Sequence, residues 1–163
     1  MKKLVPTAEM TLGPFFPREF AAGANDLTRL DGRRVPGEVI ELTGRVVQLD
    51  GKPLDNVVLE IWQADAEGRY DNPDFLGWGR VATDAHGVYS FRTIKPGGRV
   101  PSINFLLLYS GLMRQLHTVM FFDRVELLEV KHADRLLAKK EGANRYRFDI
   151  RLRGEGETPF FED

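Results

Sequence analysis

Cysteine is absent from all 163 residues, which excludes disulfides, thiolate metal sites and a cysteine nucleophile. Histidine is scarce: His86, His117 and His132 are the only imidazoles available to a metal centre. The longest apolar run, Phe105-Leu106-Leu107-Leu108-Tyr109, falls far short of the ~20 residues a spanning helix requires. Excess charge is missing too. Twenty-three lysines and arginines face 24 acidic residues, and the net charge of −1 gives no basic footprint for nucleic acid. Met1-Lys2-Lys3 carries signal-like charge, but Glu9 and Pro14 interrupt any apolar continuation, so a cytoplasmic location is expected.

What is present is ordinary globular composition, 42% hydrophobic and 29% charged, in a length that suits one domain. Short β-rich runs alternate with turn signals and predict strands over 41–49, 56–63, 79–83, 88–94, 103–109, 116–122 and 146–152. Asp50-Gly51 and Asp84-Ala85-His86-Gly87 supply turns between them. A helix is expected over 134–141, where leucines and lysines are paired. The reading is an all-β sandwich core over 41–152, with an irregular arm over 1–38, a polar tail over 153–163 and one or two short helices.

One stretch carries chemical suggestion. Val57-Val58-Leu59-Glu60-Ile61-Trp62-Gln63 reads as a buried strand, and Ala64-Asp65-Ala66-Glu67-Gly68-Arg69 turns it toward Tyr70. A phenolate is the kind of hard oxygen donor that ferric iron prefers. A metal site needs several such ligands, and no histidine of this chain has a partner at metal-ligand spacing.

Six segments in order carry a resemblance. They are Thr11-Leu12-Gly13-Pro14-Phe15-Phe16, Leu59-Glu60-Ile61-Trp62-Gln63-Ala64-Asp65, Gly79-Arg80, Thr83-Asp84, Thr93-Ile94-Lys95-Pro96-Gly97 and Tyr146-Arg147-Phe148-Asp149-Ile150-Arg151. Together with the tail Gly154-Glu155-Gly156-Glu157-Thr158-Pro159-Phe160-Phe161, the chain resembles the intradiol ring-cleavage dioxygenases, nearest to the alpha-type chains of the protocatechuate-cleaving branch. The resemblance implies a β-sandwich and a complex that converts protocatechuate and oxygen to 3-carboxy-cis,cis-muconate. In such a complex a beta chain holds iron(III) through two tyrosines and two histidines, and the iron acts as a Lewis acid toward the bound catechol.

Carried over residue by residue, that ligand set is incomplete. Tyr70 falls at the first tyrosine, Gly98-Arg99-Val100-Pro101 stands where the second should follow, and Ser102 and Asn104 match the two histidines. A hydroxyl and an amide do not replace imidazoles, so no metal ligand and no catalytic residue is expected in this chain. The implied role is that of an alpha-type subunit, with Fe(III) held by a beta-type partner, a small aromatic diol as substrate and a higher alpha–beta oligomer. The substrate-binding residues so implied are Thr11, Gly13, Pro14 and Phe15, in an arm where glycine permits close approach, proline stiffens the loop and a ring stacks on the substrate. Two departures bear on specificity: Phe15 replaces a frequent tyrosine, and Ser110 stands where an arginine is expected.

Other residues have plainer expectations. Tyr70 is structural, Trp62 and Trp78 are core or sandwich-edge aromatics, and His117 is packed or hydrogen-bonded. His86 is solvated in a turn, His132 is exposed near a helix start, and Glu155, Glu157, Glu162 and Asp163 form a solvated tail. Two rival readings are a non-catalytic binding or structural protein that retained the sandwich, and an iron enzyme with an altered ligand set drawn from Tyr70, His86 and His117.

Overall fold

Strict alternation of buried and exposed side chains along Val39–Val47 marks a strand with one face on a core and one on solvent. This is β3 of eleven strands among the described residues of the computed structural model, which cover 16–112, 114–123 and 130–161. The short strands β1 (Arg29–Leu30) and β2 (Arg33–Arg34) form an antiparallel hairpin ahead of it. Then follow β4 (Val58–Gln63), β5 (Trp78–Ala82), β6 (Val88–Ile94), β7 (Ser102–Leu108) and β8 (Leu116–Phe121). The small strands β9 (Lys139–Lys140), β10 (Arg145–Arg147) and β11 (Ile150–Arg151) close the series.

Two sheets make the sandwich. One runs β5-β4-β7-β8, antiparallel throughout. The other is centred on β3, which pairs antiparallel with β6 along one edge and parallel with β10 and β11 along the other. Between them lies an aromatic core. Tyr89, Phe91 and Phe148 come from the β3 sheet and Phe105 from the facing one, with ring centroids 5.4–6.5 Å apart in edge-on and tilted contacts. Buried Gln63 stitches the two sheets together, its amide donating to the carbonyl of Ile94 at 2.8 Å and accepting from the Thr93 hydroxyl at 2.8 Å. No helix of the described residues is long and apolar enough to cross a membrane.

Two expectations need correction. The helix expected over 134–141 is a single 3-10 turn, Ala133–Leu136, followed by β9. Leu136 is fully buried, and Ala138 donates to the carbonyl of Phe121, so sheet pairing overrides the helical propensity of the leucines and lysines. The strand expected over 146–152 is split at Phe148-Asp149. There the N–H of Arg45 donates to the Asp149 carboxylate at 2.9 Å, a side-chain acceptor in place of a ladder carbonyl. The described part of the arm, from residue 16, contains the β1–β2 hairpin and a bridge from Asp26 to Arg92. The tail is likewise tied down, with Thr158 buried and Phe161 bridged to His117.

The β3–Phe148 crossing admits only glycine at Gly44. A Cβ there would overlap the Phe148 carbonyl oxygen and come within 2.6 Å of the Tyr89 ring, whose hydroxyl donates to that same carbonyl at 2.5 Å. Gly44→Ala is therefore expected to cost about 3 kcal/mol of stability in urea unfolding, whereas Tyr89→Phe, which removes one hydrogen bond, costs about 1–2 kcal/mol. Equal effects of the two would contradict this packing.

Candidate functional site

Because side chains alternate along a strand, the register of the β5-β4-β7-β8 sheet dictates what its outward face displays. Trp78 pairs with Trp62, Trp62 with Asn104 and Asn104 with Val119, forming one row across the sheet. The next row reads Arg80, Glu60, Leu106 and His117. These residues shape a shallow depression of about 280 Å³ lined by Trp62, Trp78, Asn104, Leu106, Glu60 and His117. Rings and alkyl groups make up most of its surface, Glu60 is held by Arg80, and its other polar side chains engage one another or the backbone. Asn104 donates to the Trp62 carbonyl at 3.2 Å, and its oxygen lies 3.4 Å from His117 Nε2.

One side of this face is held by a charge stacked between rings. The Arg80 guanidinium sits 3.8 Å from the Phe20 ring centroid and 4.8 Å from that of Trp78, while bonding Glu60 at 2.7 Å. Phe20 in turn stacks on Phe16 at 5.1 Å, and the Phe16 carbonyl accepts from Asn56. Arg80 thus clamps the start of the described arm onto the sheet.

Tyr70 reaches the opposite end of β4 through a turn organised by Asp65. That carboxylate is only 3% exposed, and it accepts from the N–H groups of Glu67 and Arg69 at 2.9 Å, from Asn72 at 2.8 Å and from Arg69 Nε at 3.2 Å. Burial alone would raise its pKa, but these four donors outweigh it and hold the group at about 2. The Asp65 carbonyl also receives the Gly97 N–H at 2.8 Å. A Cβ on Gly97 would overlap the Ala66 carbonyl, which explains the glycine after Lys95-Pro96. The Asp65 turn and the 95–98 loop are therefore one unit.

The residues singled out by sequence fare differently. Tyr70, 53% exposed, lies with its ring 6.5 Å from that of Trp62, and Trp62 is itself adjacent to Asn104 across the sheet. Ser102 lies two residues from Asn104 on the same outward face. The chain thus brings Tyr70, Ser102 and Asn104 to one side of one sheet. Their donors are a phenol, a hydroxyl and an amide already engaged with Trp62 and His117, which is not a set that fits ferric iron. Among the described residues no three His, Cys, Asp or Glu side chains gather as a metal site.

Trp62, expected in the core or at the sandwich edge, stands 54% exposed in mid-face because its register parity points it outward; Trp78 is half-buried. His117 is half-buried against Phe161, as a packed histidine should be. His86 is in its turn and His132, exposed, precedes the 3-10 turn with a left-handed φ of 61°. Ser110 occupies the turn after β7. Thr11, Gly13, Pro14 and Phe15, with Glu162 and Asp163, lie outside the described residues. Asp65 was not singled out from sequence, although an aspartate followed by Ala-Glu-Gly-Arg after a buried strand is the pattern of a side-chain-capped turn.

Comparison with known proteins places this geometry. Residues 11–102 match the family model described as Dioxygenase. The protocatechuate 3,4-dioxygenase alpha chain of Pseudomonas putida is 37% identical over 82% of this chain and 81% of its own length. The beta chain of that name from Burkholderia cepacia is 35% identical over 97% of this chain and 85% of its own. Among solved structures, the dioxygenase domain of a dioxygenase carbohydrate-binding protein fusion from Streptomyces sp. SirexAA-E superposes with a TM-score of 0.66 at 26% identity, covering 92% of this chain and 99% of that one.

The Asp65 turn makes a pH-dependent contribution of definite sign. A carboxyl lowered from its ordinary 3.8 to about 2 stabilises the fold fully above pH ~4 and loses that contribution as pH falls toward 2. The full contribution is about 2 kcal/mol. Asp65→Asn should thus be destabilised at pH 7, and the gap to wild type should narrow by about 1 kcal/mol in urea unfolding at pH 3. A gap that does not change with pH would show that the charge of Asp65 is not what holds the turn.

Proposed function

Since this chain belongs to the intradiol ring-cleavage dioxygenase family, an iron-dependent family, we propose that it is the alpha-type, non-metal-binding subunit of such an enzyme. Its partner is a beta-type chain that carries the iron, and the pair converts protocatechuate and oxygen to 3-carboxy-cis,cis-muconate. Kinship alone does not choose between the two chain types, because alpha and beta relatives are 37% and 35% identical to it. The observation that carries the choice is the donor set. Where imidazoles would be needed, Ser102 and Asn104 stand on the outward face, and the Asn104 amide is committed to Trp62 and His117.

The arm contributes Thr11, Gly13, Pro14 and Phe15 to a pocket shared with the neighbouring chain. In this reading Gly13 and Pro14 bring backbone close to the ring of the diol, and Phe15 packs on it. Serine rather than arginine at Ser110 leaves the substrate carboxylate to be held by the partner.

Purified alone, the chain should contain no iron, show no tyrosinate-to-iron absorption and consume no oxygen with protocatechuate. Co-expressed with a beta-type chain, it should form a stable complex that contains iron, shows that absorption and consumes oxygen with protocatechuate. Within that complex Phe15→Ala should lower kcat/KM about tenfold by loss of ring packing, with the iron content unchanged. An active, iron-loaded chain on its own, or the absence of any complex, would overturn the proposal.

A further inference from the structure

The outward face of the β3 sheet has a different chemistry from the ring-lined face opposite. Register sets Arg147 beside Thr43 and Arg151 beside Val47, and Arg45 stands between those two positions on β3. Arg135 enters from the 3-10 turn. All four arginines line one cleft of about 300 Å³, together with Thr158, and Asp149 is the single acidic residue in its walls. In a chain whose net charge is −1, this is a local concentration of positive charge.

Two of the arginines are fixed in place by neutral carbonyls. Arg135 Nη1 donates to the Glu157 carbonyl at 3.1 Å, and Arg151 Nη1 donates to the carbonyls of Gln48 and Leu49 at 3.4 and 3.3 Å. A neutral carbonyl orients a guanidinium and leaves its charge and its other N–H groups available. Arg147 pairs through Nε with both oxygens of Asp149 at 3.1 and 3.0 Å. Arg45 donates no side-chain hydrogen bond among the described residues; its charge adds a minor share to the low pKa of the exposed Asp84 carboxyl, which the Val88 and His86 N–H groups chiefly hold down. Three oriented forks and the exposed Arg45, with one carboxylate in the cleft wall, make a receptor for negative oxygen atoms, because guanidinium N–H pairs match carboxylate and phosphate edges.

We propose that this cleft is a binding site for a small multivalent oxyanion, a di- or tricarboxylate or a phosphate. The site is separate from the outward face of the β5-β4-β7-β8 sheet and does not depend on the dioxygenase reading. The arginine-rich segment Tyr146-Arg147-Phe148-Asp149-Ile150-Arg151, which the proposed subunit role leaves without a chemical task, supplies two of its four guanidinium groups.

Isothermal titration of the full chain at low ionic strength, with citrate and separately with inorganic phosphate, tests this. One saturable site per chain is expected for at least one of them; saturation by citrate alone identifies a carboxylate ligand, and by phosphate alone a phosphate ligand. Arg45→Gln should bind roughly tenfold more weakly, the loss of one charge-assisted contact. Arg92→Gln, which lies on β6 and pairs with Asp26 outside the cleft, should stay within about twofold of wild type. The proposal is overturned if neither anion saturates, if Arg45→Gln binds like wild type, or if Arg92→Gln weakens binding as much as Arg45→Gln does.

Discussion

The pairing register of β4 with β7 is the constraint on which the candidate site depends. Ile61 opposite Phe105 puts two buried side chains into the core, and the same parity forces Trp62 and Asn104 outward as neighbours. A slip of one residue would bury an asparagine and expose a phenylalanine, an exchange the core would not tolerate. The hydrogen bond from Asn104 to the Trp62 carbonyl adds a polar pin to an apolar register. With that register fixed, the outward face must carry a ring-lined depression, and the Asp65 turn must deliver Tyr70 to its rim.

Much of this was readable from residue order. Alternation along Val88–Ile94 marked that strand to its ends, and the turn at Asp84-Ala85-His86-Gly87 followed from glycine and the aspartate cap. Reading failed where tertiary partners outweighed local preference. Leucines and lysines in 134–141 look helical, but the buried Leu136 and the pairing of Lys139–Lys140 with β10 draw the segment into the sheet. The break at Asp149 was invisible because a carboxylate stands in for a backbone carbonyl, an exchange that leaves no trace in hydrophobic pattern. For the site, Tyr70, Ser102 and Asn104 were identifiable by resemblance, whereas the Asp65 hub required knowledge of which donors surround one buried oxygen pair.

The sandwich therefore presents two outward faces with unlike chemistry. One is built of indole, phenol, imidazole and amide groups and has no donor set suited to ferric iron; the other gathers guanidinium groups around a small cleft. The core does not depend on what the first face carries, since Phe105 packs against Phe148 and Tyr89 from the opposite parity to Ser102 and Asn104. Serine and asparagine at those outward positions leave the core packing intact, while the clamp of Arg80 between Phe20 and Trp78 holds the described start of the arm.

The most direct test is to locate iron in crystals of the complex with a beta-type chain by anomalous scattering at the iron absorption edge. This account predicts one peak per chain pair, in the beta-type chain, and none within bonding distance of Tyr70. A peak beside Tyr70 in this chain would contradict it.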